Sequence, residues 1–156
     1  MHERSKLAEA RHFLDRMHAE HFDPQCFASE LGAFLAASRS VLQYALKEAK
    51  AKPGGQQWYD QAMVNPLFTF FRDLRDDSIH EVPVTPLTKM KLTRASMLNI
   101  GDDDEEILIP HEHDTITHHY EFAGRPGEEV IDLSRQYLDT LKQLVEAGVR
   151  AGWISG

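Results

Sequence analysis

Phe70-Phe71-Arg72-Asp73-Leu74-Arg75-Asp76-Asp77-Ser78-Ile79-His80-Glu81 closes an aromatic helical run with an arginine and a histidine five residues apart. Leu67, Phe70, Phe71 and Leu74 recur at helical spacing and make an apolar stripe, so the segment reads as one wall of a helical core. Arg75 offers a fixed fork of donors suited to phosphate oxygens. His80 is of the one type whose unperturbed side chain gains or loses a proton near neutral pH. Together they point to phosphodiester chemistry. On an ideal helix, however, the two positions lie about 140° apart, with Arg75 on one flank of the stripe and His80 on the other. Both reach one phosphate only if the helix unwinds after about Asp77 or if two chains share the site. Val82-Pro83 favours unwinding, because the residue before proline is pushed out of helical geometry.

Residues 5–22 carry Leu7, Ala10, Leu14, Met17 and His21 at helical spacing, and Asp23-Pro24 stops that helix and starts the next. From Gln25 to about Ala51, the residues Phe27, Leu31, Phe34, Leu35, Leu42, Ala45, Leu46 and Ala49 predict a longer second helix, ended by Pro53-Gly54-Gly55. The third runs from about Gln57 to Asp77 through Trp58, Tyr59 and Met63, and Pro66 is expected to kink or divide it. The last spans Glu128 to about Arg150, with Val130, Leu133, Tyr137, Leu141, Leu144 and Val145 inward and Glu128 and Glu129 at the positive end of its dipole.

Between the third and fourth helices the period changes to two. Met90, Leu92, Leu98 and Ile100, then Ile116, His118, Tyr120 and Phe122, read as strands. The acidic stretch 101–106 reads as a solvated turn, with Ile107-Leu108-Ile109 as a short extra strand before Pro110. The expectation is mainly α: a single domain over 1–156, built as a four-helix bundle with a small antiparallel β insertion at about 84–123.

With 156 residues the chain is long enough for a sizeable core without staples. The single cysteine, Cys26, leaves no internal disulfide, and the charged start Met1-His2-Glu3-Arg4 is expected to be no secretory signal. A reducing cytoplasm is the expected compartment, and no apolar run approaches the roughly 18 residues of a membrane helix. Seventeen Lys plus Arg against 25 Asp plus Glu give a formal charge of −8, which excludes general electrostatic attraction to nucleic acid. A local positive patch on an acidic body is still open to it. Arg72, Lys89 and Lys91 are the candidate binding residues, although Lys89, Lys91 and nearby Arg94 equally suit a solvated strand face.

His111-Glu112-His113 followed by His118-His119 invites a metal reading, since imidazole and carboxylate both ligate zinc. The spacing matches no zinc motif, and alternation sends His118 and His119 to opposite faces, so no metal or cofactor is expected. His118 reads as a satisfied core histidine, and His12, His18 and His21 suit either a site or an amphipathic surface. Cys26 reads as a small core residue whose place near a helix start lowers its pKa slightly. Trp153, beyond the last helix, reads as exposed and as the mark of a contact surface.

Four helices, with Arg75-Asp76-x-x-x-His80 closing the third, resemble the HEPN family (higher eukaryotes and prokaryotes nucleotide-binding domains). Its signature is an arginine, usually followed by a polar Asn, Asp or His, then a histidine a few residues on. The segment Ser29-Glu30-Leu31-Gly32-Ala33-Phe34-Leu35-Ala36-Ala37-Ser38-Arg39-Ser40-Val41-Leu42 adds to the likeness, as does Trp58-Tyr59. The resemblance covers residues 5–81 and, more loosely, 128–150, with the β insertion outside it.

The resemblance implies a dimeric bundle that joins the motifs of two chains along the second and third helices, often with metal-independent RNase activity and sometimes as a toxin restrained by an antitoxin-like partner. Other members are scaffolds or RNA binders without activity. In the RNase reading, the RNA's own 2′-hydroxyl is the nucleophile. His80 moves protons, Arg75 holds the scissile phosphate, and Asp76, four residues before His80, orients its ring. In the alternative, Arg72, Asp73, Arg75, Asp76, Asp77 and Glu81 form a surface salt-bridge lattice. The chain is then a dimeric binding module that engages a protein through the β insertion and its acidic stretch 102–106. Surplus aromatic surface at Phe68, Phe70 and Phe71 is expected to drive dimerisation.

Overall fold

The computed structural model describes residues 2–80, 86–95 and 113–156, with the side chains of 77–80, 91–95 and 113–116 outside the description. The described residues are mainly helical, with a small three-stranded antiparallel sheet. The order is α1 (His2–Ala19), α2 (Pro24–Lys50), α3 (Gly55–Ala62), α4 (Pro66–His80), β1 (Leu87–Ala95), β2 (His113–Phe122), β3 (Arg125–Glu129) and α5 (Val130–Arg150).

Capping chemistry fixes where these helices begin. Asp23 sits in extended geometry before α2, and its carboxylate accepts from the backbone N–H groups of Gln25 and Cys26 at 2.9 and 3.0 Å, with Pro24 inside the first turn. Pro66 divides the expected third helix rather than bending it. Leu67 donates its N–H to Asn65 Oδ1 at 2.9 Å, and α4 restarts at the proline, where a missing N–H costs nothing. Between α2 and α3 the chain reverses so tightly that a Cβ on Gly55 would stand 2.0 Å from the Ala49 carbonyl oxygen. Only glycine fits there.

α2 is the central element and packs against α1, α3, α4 and α5. Its buried stripe holds Phe27, Leu31, Phe34, Leu35, Val41, Leu42, Ala45 and Ala49, and α5 contributes Val130, Leu133, Tyr137, Leu138, Leu141, Leu144 and Val145. An aromatic layer locks α4 onto both. The Phe71 ring stacks on Tyr137 at 4.1 Å and meets Phe34 edge-on at 6.2 Å, while Phe68 meets Tyr137 edge-on at 6.0 Å. Phe68 and Phe71 are buried, and Phe70 is half-buried against Phe122 and beneath the Arg125 guanidinium. A single chain therefore uses all three phenylalanines. At these three positions the expected surplus of aromatic surface is absent, and they supply no argument for a dimer.

The sheet is an antiparallel meander in the order β1-β2-β3. Met90 stands opposite His118 and Lys89 opposite His119. Tyr120 stacks on Phe27 at 3.7 Å and donates its hydroxyl to the His21 carbonyl at 2.7 Å, which ties the sheet to the α1–α2 corner. Sequence periodicity missed β3. Glu128 and Glu129, expected in the first turn of the last helix, belong to this strand, and α5 begins at Val130. Glu129 is its N-cap, accepting from Ile131 N–H at 3.0 Å. Leu98, Ile100 and the Ile107–Ile109 stretch lie outside the described residues, as does the acidic stretch 101–106.

Candidate functional site

α4 carries the arginines, and its packing decides how they present. Phe68 and Phe71 point into the core, so Arg72 and Arg75, each four residues further on, emerge at the edge of the buried face. The Arg75 side chain is 26% exposed and reaches Asp76 at 3.3 Å, while Arg72 reaches Asp73 at 2.9 Å. These pairs reproduce part of the salt-bridge lattice. The Arg72–Asp73 pair is exposed and holds weakly, about 0–1 kcal/mol, whereas the Arg75–Asp76 pair is part-buried.

The backbone of α4 stays helical through His80, despite Val82-Pro83. Unwinding after Asp77, the expectation that would let one chain bring Arg75 and His80 together, does not occur. The two positions remain about 140° apart around the axis and about 7.5 Å apart along it. The ring of His80 lies outside the described side chains, so the expected Asp76–His80 contact does too. Asp76 is four residues before His80 on continuous helix, and its carboxylate faces Arg75.

Sequence reading missed a further arginine, which shares the Tyr59 phenol with Arg72. Arg39 of α2 is half-buried, and its Nε is buried with no hydrogen-bond partner among the described residues. Its positive charge and that of Arg72 both act on the Tyr59 phenol, but burial outweighs them and holds the phenol above its usual pKa. Burial likewise raises Tyr137, which also feels Arg39. Both phenols stay protonated and able to donate. The one signal in the sequence was a cation following Ser38 within the apolar run of α2.

The remaining candidates lie apart. Lys89, on the sheet, holds both oxygens of Glu121 at 2.7 Å and pulls that carboxyl below its ordinary pKa. The Lys91 side chain is outside the description, as are His111, Glu112 and the His113 side chain. His119 is exposed, whereas His118 is half-buried between Phe22 and Tyr120. His118 is not the satisfied core histidine expected, because its buried Nδ1 has no hydrogen-bond partner among the described residues. No group of three metal-ligating side chains converges among the described residues. His18 stacks on His21, whose ring lies tilted against Phe22 just beyond α1, and His12 meets Phe13 edge-on.

Cys26 and Trp153 also depart from their expected settings. Cys26 is exposed rather than core, because it lies in the first turn of α2 beside the capping carboxylate. Its hydrogen bond to Asp23 raises the thiol pKa, since a thiolate there would face a carboxylate, and this opposes the lowering expected at a helix start. Trp153 is half-buried and packs against the core, its ring beside Gly54, instead of standing free.

Compared with known proteins, the chain matches no family model, no curated protein and no solved structure.

Proposed function

We propose that this chain is a HEPN-like protein that cleaves RNA as a homodimer, with Arg75 and His80 of each chain contributing to a shared site. The observation that carries the reading is the unbroken helix through His80. A helix that projects the two functional positions about 140° apart serves one phosphate only when a second helix supplies the complementary face. Pairing along α2 and α4 brings Arg75 of one chain toward His80 of the other. With α3 and α4 counted as one divided helix, α1, α2, α3–α4 and α5 supply the four helices of such a bundle.

In this mechanism the RNA 2′-hydroxyl loses its proton to a histidine and attacks the adjacent phosphorus. The 5′-oxygen leaves with a proton, giving a 2′,3′-cyclic phosphate and a 5′-hydroxyl. His80 moves the protons. Arg75 holds the phosphate and offsets the charge that develops on it, aided by Arg72 and by Arg39. No step calls on a metal. Among the described residues no helix is long and apolar enough to cross a membrane, and a cytoplasmic RNase restrained by a protein partner suits this chemistry.

The test is cleavage of a mixed RNA substrate in EDTA by wild type, Arg75→Ala and His80→Ala, each shown to be folded. Activity lost in both variants supports the reading, and no cleavage by folded wild type overturns it. A second reading is favoured by the neighbouring aspartates that engage Arg72 and Arg75. The chain is then a non-catalytic dimeric module, and deletion of residues 88–123 abolishes partner binding while RNA stays intact.

A further inference from the structure

On the face formed by α1 and α5 lies an open groove of about 370 Å³. Its floor is aliphatic, made by Leu7 and Ala8 of α1 against Leu138 and Val145 of α5. Above the floor stand Arg4, Arg11 and Lys142, with Glu146 the only acid on the lining. Three cations against one carboxylate is the reverse of the molecule as a whole, which carries a formal charge of −8.

The ion pairs of α1 sharpen the point. Lys6 pairs with Glu9, and Arg16 pairs with Glu20 and with Glu30 of α2. Arg4 and Arg11 line the groove, the Arg4 guanidinium lying beside Gly156, and neither has an ion-pair partner among the described residues. Lys142 meets Glu146 only at 4.0 Å. Both arginines are exposed, and they lie seven residues apart. Two helical turns separate them along α1 by about 10.5 Å, with the apolar floor between.

We propose that the α1–α5 groove is a docking site for an acidic amphipathic helix of a protein partner. Glutamates or aspartates seven residues apart on the partner meet Arg4 and Arg11, and the aliphatic residues between them lie on Leu7 and Ala8. A helix laid in a groove presents this spacing of charge and apolar anchors. A fatty acid has one carboxylate and leaves the second arginine unmatched. RNA would bring phosphates but would meet no aromatic ring in this lining on which a base could stack. The site stands apart from α4 and does not depend on the RNase reading, and a partner here could restrain or recruit the protein without touching Arg75.

The test uses the full chain and a fluorescein-labelled alanine-based model helix, with glutamates seven residues apart and leucines between, read by fluorescence anisotropy at low salt. Wild type is expected to bind it, more weakly as salt rises. The folded double variant Arg4→Glu/Arg11→Glu is expected to weaken binding at least about tenfold, as reversal of complementary charge does. The same helix with lysines in place of glutamates is expected to bind the double variant and not wild type. Equal binding of the acidic helix to both proteins overturns the proposal, and so does no binding by wild type. It is also overturned if dodecanoate or a hexauridylate probe binds wild type in an Arg4- and Arg11-dependent way while the helix does not. A wild-type dimer that the double variant converts to a monomer overturns it too, by assigning the groove to a second copy of this chain. Because no readout involves cleavage, failure of the RNase reading leaves this result unchanged.

Discussion

Phe71→Ala tests the packing that holds the candidate site in place. The ring is 1% exposed, stacks in parallel on Tyr137 of α5 at 4.1 Å, and meets Phe34 of α2 and Phe122 of β2 edge-on. An aromatic side chain of this kind buries roughly 150 Å² or more. At about 25 cal/mol per Å², its removal forfeits about 4 kcal/mol. That falls within the roughly 3–5 kcal/mol typical of Phe→Ala changes in cores. A domain of this size has about 5–15 kcal/mol in all, so the variant should fold but sit near the margin, with Tm lowered by about 8–16 °C. Urea denaturation followed by circular dichroism measures it, with a lower midpoint and an unchanged slope. Phe71→Leu, which keeps most of the volume, should cost roughly 1–1.5 kcal/mol. If Phe71→Ala costs less than about 1 kcal/mol, the ring is not in this layer. α4 is then not docked on α2 and α5 as described, and the presentation of Arg72 and Arg75 fails with it.

Four further outcomes rest on the caps and close packing elsewhere in the fold. Glu129→Ala removes the cap of α5 and should destabilise the fold by about 1 kcal/mol, with faster amide exchange at Ile131 in NMR; unchanged exchange there would count against the cap. Gly148→Val should destabilise by roughly 1–3 kcal/mol, because a Cβ there stands 2.7 Å from the Trp58 ring and 2.9 Å from Ile154, and thermal melts would show it. In Asp23→Asn the thiol of Cys26 should titrate at lower pH than in wild type, so alkylation by iodoacetamide at pH 8 speeds up; an identical pH–rate profile would refute the coupling. For stability the sign is the reverse. The Asp23 carboxyl is held below its ordinary pKa by the backbone N–H of Cys26. Its stabilising effect is therefore present above the ordinary carboxylate range and lost as pH falls through the lowered value, where wild type and Asp23→Asn should converge.

The helices that carry the core are legible from residue order, because a buried face repeats every 3.6 residues and leaves its mark in the spacing of apolar residues. Phe27, Leu31, Phe34, Leu35, Leu42, Ala45 and Ala49 in α2 and Val130, Leu133, Tyr137, Leu141, Leu144 and Val145 in α5 are buried as their spacing predicts, Leu46 is only partly buried, and Asp23-Pro24 and Pro66 mark the boundaries where a cap or a missing N–H requires them. The strand alternation around Tyr120 and Phe122 was legible for the same reason. β3 was not, because Arg125–Glu129 exposes its middle and is defined by pairing with β2 rather than by burial of its own. Tertiary structure alone decided that α4 continues through His80, that Arg39 of α2 joins Arg72 beside Tyr59, and that Cys26 faces solvent. It also decided that Arg4 and Lys142, 138 positions apart in the chain, rim one groove. Local patterns record which way a residue faces along its own helix, while the distance between helices is set by the packing of side chains such as Phe71 on Tyr137, which no single segment encodes.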